Sequence, residues 1–319
     1  MAVATSIDPG PLLVLMGLVE ANAILIASGA IRSASCRLEA RGRLGPPLLV
    51  LVAGLLSAVL LNDAVVLQAA PMMWSLADTP ESRRPLLLAL LLAAVNVGSS
   101  IGPYGNPQDA LILHHYNLGP HELLAFTLPA YTPILALLAL AAYLAAPRSP
   151  GPGEAWECPP IHEGLASLGL GLVLLTTLAG LTGHEWIGPL AGTLAVLLLG
   201  LARRVDWPAI IVVGAAYIGA RTVLGLLHLH PPTTPLETYE WGVLLSVAVS
   251  NVPATATLLG APWRPLHLAV NLAGLVHPYS SMANMLGLRS AGARWRDVLL
   301  PGLAVAVPAL LYGLILALH

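Results

Sequence analysis

The chain has no lysine: all 14 of its basic residues are arginine. A Gly-x-x-x-x-Gly-Lys phosphate loop is therefore impossible, and direct use of ATP by this chain is excluded. Charge of either sign is scarce, at 9% of residues against 57% apolar, with a mean hydropathy of +0.80. Soluble domains carry roughly a quarter charged residues, so this chain cannot cover a water-facing surface, and no stretch is left for a separate soluble domain. A net charge of −2 provides no field that would attract nucleic acid. Cys36 and Cys158 fall in predicted loops without ligand spacing and imply neither a zinc site nor a disulfide framework. His121-Glu122, His162-Glu163 and His184-Glu185 lack the second histidine of His-Glu-x-x-His, and no Gly-x-Ser-x-Gly elbow occurs. An intramembrane enzyme is thus a minor alternative. The alternation of a transmembrane barrel is missing too, since 86–95 and 168–175 are apolar on every side. Asp8 is the only charge before the first apolar run, 11–31; without a basic n-region that run reads as a retained helix.

What remains is an all-α polytopic membrane protein. A spanning helix needs roughly 20 apolar residues, and apolar segments fall at about 11–31, 46–77, 86–118, 122–145, 163–182, 187–202, 207–228, 237–262, 264–288 and 297–318. Four of them are interrupted. Asn62-Asp63 divides 46–77, and Ser250-Asn251-Val252-Pro253 divides 237–262. Gly/Pro-rich polar stretches, Asn96 through Asp109 and Asn271 through Asn284, break two more. Backbone that leaves helical geometry at membrane depth must be buried in protein or line a wet cavity.

Arginine placement tests the topology. With 46–77 and 237–262 as re-entrant hairpins and every other segment spanning, 12 of the 14 arginines fall on one face. Arg264 lies on the other face and Arg221 within a span. Full crossings at both hairpins would instead move Arg83, Arg84, Arg148, Arg203 and Arg204 away from Arg32–Arg43. The hairpin arrangement gives about eight spans in a cell membrane, an N-terminus outside and cytoplasmic arginine-rich loops.

The interruptions repeat. At an offset of 189, Ser57 through Asn62 lies over Ser246 through Asn251. At an offset of 175, Asn96 pairs with Asn271, Pro103 with Pro278 and Tyr104 with Tyr279. Each half runs from hairpin tip to broken helix to apolar span, with hairpins entering from opposite faces, which predicts an inverted-topology repeat with its site near the midplane. The predicted divisions are a first repeat over 1–145, a loop with two extra scaffold helices over 146–206, and a second repeat over 207–319.

Charges inside spans are functional by default. Asp63 and Asp109 have no acidic counterparts in the second half, where Val252 and Asn284 stand. Asp109 follows the break and is expected nearer to water than Asp63. Glu20 lies mid-span, and Arg221, the only base within a span, is its expected structural partner. His277 sits in the second break, as a neutral cap or a proton-transfer group. His114, His115, His228 and His230 fall near span ends and read as interfacial. Asn106, Gln108 and Asn284 would satisfy the freed backbone or contact cargo.

The segments Leu60-Leu61-Asn62-Asp63-Ala64, Asn96-Val97-Gly98, Pro103 through Asp109 and Ser250-Asn251-Val252-Pro253 resemble the ion transporter superfamily. That group includes arsenite permeases, citrate permeases, dicarboxylate/sodium symporters and NhaD-type antiporters. The resemblance spans about 11–318 and implies hairpin tips and unwound helices that enclose the cargo while one domain moves against a scaffold. The implied cargo-binding positions are Asn62, Asp63, Asn96, Gly105, Asn106, Asn251, Asn271, Ser280, Ser281 and Asn284, with Asp63 and Asp109 coupling an ion. Dicarboxylate carriers of this type present Ser-Asn-Thr at both tips. Here Leu61-Asn62-Asp63 and Ser250-Asn251-Val252 weigh against dicarboxylate or citrate and toward the arsenite-permease and proton-linked branches. The expected function is secondary active transport of a small anion or oxyacid, coupled to H⁺ or Na⁺ and needing no cofactor beyond that ion. A sodium–proton antiporter is the alternative within transport, and a channel fits two-sided hairpins less well. The resemblance implies a homodimer through scaffold helices, and an ATPase subunit as partner stays open.

Overall fold

A computed structural model describes residues 9–39, 42–75, 80–146, 158–208, 210–211, 214–215, 218–219 and 230–319. The expected span at 207–228 falls largely outside the described residues, and so do Arg41, Arg148, Arg221, His228 and part of the loop at 78–85. The described part is helical, with no strand among the described residues.

Proline sets where many helices begin. It stands in the first turn of α1 (Gly10–Ser28), α3 (Gly45–Ser57) and α5 (Arg84–Ser99). It does the same in α6 (Pro107–His115), α7 (Pro120–Ala145) and α10 (Pro235–Val249). The first-turn N–H has no intrahelical partner, so proline loses nothing there and fixes φ in advance. Side-chain caps reinforce two of these starts: Asn106 accepts from the Asp109 N–H at 2.8 Å, and Thr234 accepts from the Glu237 N–H at 3.3 Å.

All four sequence interruptions are helix breaks. α3 ends at Ser57 and α4 (Asn62–Ser75) follows. α10 ends at Val249 and α11 (Asn251–Leu258) restarts after the single residue Ser250. α5 and α6 are separated by 100–106, and α12 (Trp263–Ala273) and α13 (Met282–Ala291) by 274–281. At 1.5 Å per residue, α3 and α4 are each only about 20 Å long, short of a roughly 30 Å hydrocarbon core. Continuous apolar helices long enough to cross are α7, α8 (Glu163–Leu181) and α14 (Trp295–Ala317).

The helix contacts come in matched sets. α3 packs on α5 as α10 packs on α12, and α5 packs on α7 as α12 packs on α14. Between the halves, α4 lies on α13 while α11 lies on α6. α1 packs on α8 and α9 (Ile187–Leu198) and shares the main core with the other helices. Large exposed apolar side chains such as Leu137, Leu144, Leu198, Leu300 and Leu311 crowd α7, α9 and α14, the surface a bilayer would solvate. The asparagines at the breaks are buried.

Two features depart from the sequence reading. Cys36 lies in a helix, α2 (Ala30–Glu39), not in a loop. It also forms a disulfide with Cys158, 122 residues away, which nothing in the spacing of two lone cysteines signals. The bridge ties α2 to the segment leading into α8, where the His162 N–H also donates to the Ser28 carbonyl at 2.9 Å.

Candidate functional site

Both interrupted tips open on one cavity of about 220 Å³. Asn62 and Asp63 form one wall, Ser250, Asn251 and Val252 another, with Pro107, Gln108, Ser281, Met282 and Ala283 between them. These residues are the first turns of α4, α6, α11 and α13 or their immediate neighbours. Four helix N-termini therefore face the same space. The dipole of each helix places a partial charge of about +0.5 there, roughly +2 in sum, and Asp63 is the only charged side chain on the wall among the described residues. Space for about seven waters, at some 30 Å³ each, admits a small polyatomic anion.

The tips are built by hydrogen bonds to the breaks. The Asn62 N–H donates to the Gly105 carbonyl at 3.0 Å. In the other half the Ser250 hydroxyl donates to the Ser280 carbonyl at 3.3 Å, and Ser280 is the residue 175 positions after Gly105. A Cβ at Gly105 would meet the carbonyls of Ser57 and Ser99, so only glycine lets the first break approach the first tip this closely. Ser250 holds φ 78 and ψ 160, a region that costs a non-glycine residue about 1–3 kcal/mol and marks functional positions when it persists. The amide oxygens of Asn62 and Asn251 are buried without a partner among the described residues, leaving one free acceptor at each tip.

Behind the cavity lies an amide network with reciprocal pairing. Asn96 Nδ2 donates to Asn284 Oδ1 at 2.7 Å, and Asn271 Nδ2 donates to Asp109 Oδ1 at 2.7 Å. Asn96 also donates to the Leu92 carbonyl at 2.8 Å, as Asn271 does to the His267 carbonyl at 2.9 Å. The Ser281 hydroxyl donates to Asn96 Oδ1 at 2.9 Å, as Asn106 Nδ2 does to Asn271 Oδ1 at 3.2 Å. In each pair of contacts, every residue of one is 175 positions from its counterpart in the other.

Of the sequence-predicted site residues, Asn62, Asp63, Asn251 and Ser281 line the cavity. Asn96, Asn106, Asn271 and Asn284 sit one layer back in the amide network, while Gly105 and Ser280 contribute carbonyls to the tips. The expectation that Asp109 lies nearer to water is corrected: Asp109 is 0% exposed. It caps inward because its own N–H and Oδ2 are both engaged by Asn106. Glu20 is also fully buried and accepts from Thr193 at 2.6 Å; its expected partner Arg221 is outside the described residues. His277 is a cap. Its Nδ1 accepts from the Tyr279 N–H at 2.9 Å, and Nε2 faces the Val247 carbonyl at 3.1 Å; a carbonyl only accepts, so the ring is the neutral Nε2–H tautomer.

Sequence reasoning missed His267 and Tyr131, both fully buried. His267 Nε2 is 3.1 Å from Asp109 Oδ1, and Nδ1 is 2.9 Å from the Tyr131 hydroxyl. A signal existed for the histidine, an ionisable residue inside the apolar run Leu266-His267-Leu268-Ala269-Val270, where function is the default reading. Tyr131 carried none.

Broken helices that bury polar groups around a shared cavity, inside a shell of apolar helices, define a polytopic membrane transporter. Residues 2–273 match the citrate transporter family, and the chain belongs to it. Inner membrane protein YbiR of Escherichia coli (strain K12) is 30% identical over 278 residues, covering 78% of this chain and 70% of that protein. Uncharacterized transporter MJ0456 of Methanocaldococcus jannaschii is 24% identical over 254 residues, covering 76% of this chain and 69% of that protein.

Proposed function

We propose that the chain is a secondary active transporter of a small anion, a carboxylate or an oxyacid, bound in the cavity between the two tips and coupled to H⁺ or Na⁺. The observation that carries this reading is the convergence of four helix N-termini on one cavity that has no basic side chain on its wall among the described residues. An anion there is held by backbone N–H groups and helix dipoles, which offsets the missing tip hydroxyl that weighed against carboxylates, and the family match adds its weight to that class. Asp63 on the wall and the free amide oxygens of Asn62 and Asn251 suit a hard cation, which takes oxygen ligands. The same oxygens favour sodium–proton exchange as the second reading.

The reciprocal hydrogen bonds and helix contacts support an inverted repeat of 1–145 and 207–319, with α8 and α9 as scaffold. Hairpins at 46–77 and 237–262 that enter from opposite faces bring the cavity to mid-membrane, and motion of the tip-bearing elements against the scaffold would open it to each side in turn. The arginine count argues for cytoplasmic 33–45 and 78–85, and for 229–236 outside. One observation pulls the other way: a disulfide at Cys36 belongs to an oxidising compartment.

The test is counter-flow in proteoliposomes with labelled citrate and, separately, arsenite, paired with thermal stability against citrate, arsenite, phosphate, sulfate, Na⁺ and Li⁺. A cargo anion stabilises the folded state by mass action and exchanges across the membrane without net drive. Asp63→Asn keeps exchange and loses accumulation driven by a pH or Na⁺ gradient. Stabilisation by Na⁺ and Li⁺ with none by any anion would replace the anion reading with the exchanger.

A further inference from the structure

We propose that Asp109, His267 and Tyr131 form a buried proton-binding site, wired to the cavity through Asn271 and Gln108, in which one proton taken up at His267 Nδ1 cancels the charge of Asp109. All three side chains are fully buried, so the proton has no bulk water to share. The Tyr131 hydroxyl serves both protonation states of Nδ1 by turning its own proton. In the neutral ring, Nε2 lies 3.1 Å from Asp109 Oδ1 as a charge contact without hydrogen-bond alignment, and the Tyr131 hydroxyl donates to Nδ1 across 2.9 Å. In the imidazolium, Nδ1–H donates to the Tyr131 oxygen. The phenolic proton then turns to the His267 carbonyl, already 3.2 Å away. A hydroxyl that can donate to either of two acceptors or accept in place of one donation is what such a site requires.

The pair is also connected outward. Gln108, on the cavity wall, donates to Asn271 Oδ1 at 3.1 Å, and Asn271 donates to Asp109 Oδ1 at 2.7 Å. An ionised Asp109 beside a neutral histidine sets a negative charge behind the anion cavity, and protonation of His267 removes it. Proton uptake therefore favours anion entry. The other ionisable groups on the packed elements have contacts of their own, and Arg264, three residues before His267, shares the Phe126 ring with it. Tyr239 donates to the Leu310 carbonyl, and His114 meets Tyr104. His115, Arg84, Arg296 and Asp297 are at helix ends. The second half's counterpart of Asp109 is the neutral Asn284, and the first half's counterpart of His267 is Leu92, so the charge pair exists once.

This inference rests on the cavity as the transport site, and its test keeps cargo out so that the two readings fail separately. Isotope-labelled histidine in the full chain, held in lipid nanodiscs without citrate, is titrated from pH 4.5 to 9 by NMR, with His267→Gln assigning the resonance. The expected result is one imidazole that gains a proton reversibly within that range. Its proton affinity falls by about tenfold or more in Tyr131→Phe and in Asp109→Asn, because an acceptor or a counter-charge is lost. Tyr131→Phe keeps the packed ring, and a monodisperse elution profile verifies that it folds. A His267 ring that never gains a proton, or a midpoint unmoved by both variants, overturns the proposal.

Discussion

Asn96 and Asn271 occupy equivalent places in the two halves, yet their removal should cost different amounts. Asn96→Ala loses a neutral bond to Asn284 at 2.7 Å, a bond to the Leu92 carbonyl and the acceptor for the Ser281 hydroxyl. Neutral bonds are worth about 1 kcal/mol net, so the loss of three is about 3 kcal/mol. Asn271→Ala removes a donor 2.7 Å from a fully buried carboxylate, worth about 1.5–3 kcal/mol by itself. It also strips the bond to the His267 carbonyl and the acceptor shared by Asn106 and Gln108, for a total of about 4.5–6 kcal/mol. The difference of about 2 kcal/mol is the contribution of the Asp109 charge, and a double-mutant cycle isolates it. In Asn271→Ala/Asp109→Asn the carboxylate that needed the donor is gone, so the coupling should be about 1–3 kcal/mol. Unfolding titrations in mixed micelles supply the four free energies. Equal costs for the two asparagines within about 0.5 kcal/mol, or an additive cycle, would refute the idea that Asp109 is held as a buried anion by Asn271.

Gly98→Ala should destabilise by about 1–3 kcal/mol in the same titration, because a Cβ there runs into the backbone of Gly54 and drives α3 from α5; Ala93→Gly on the same helix leaves that contact alone. Dithiothreitol should lower the thermal midpoint of the parent and leave Cys36→Ser/Cys158→Ser unchanged, since closing a 122-residue separation contributes up to about 5 kcal/mol. In that cysteine-free background, Leu44→Cys and Glu81→Cys should react with an impermeant maleimide from one face and Thr233→Cys from the other. Labelling of 44 and 81 from opposite faces would sink the first hairpin.

The sequence by itself determined that this is a helical membrane protein and where its helices stop. Those features are local: near-absence of charge leaves no soluble surface, proline lacks an N–H, and Asn-Asp or Gly/Pro clusters end helices within a few residues of themselves. The paired breaks were legible for the same reason, since Asn62 and Asn251, or Asn96 and Asn271, mark helix ends by their local chemistry. The tips were identified as cavity walls, and Asn62, Asp63, Asn251 and Ser281 are there. Tertiary structure alone decided which side chains face the cavity and which hold its wall in place. Asn96 finds Asn284 188 residues away and Asn271 finds Asp109 162 residues away, and those pairings draw Asn96, Asn106, Asn271 and Asn284 into a layer behind the cavity. Asp109, one turn past a break, was expected near water, but its burial depends on His267 and Asn271, one turn apart on α12, arriving from the other half of the chain. The Cys36–Cys158 bridge and the Asp109–His267–Tyr131 cluster belong to the same category. Contacts across more than a hundred residues leave no periodicity or spacing in a single sequence, because the energy that selects them comes from burying polar groups together, and only the folded chain brings those groups within 3 Å.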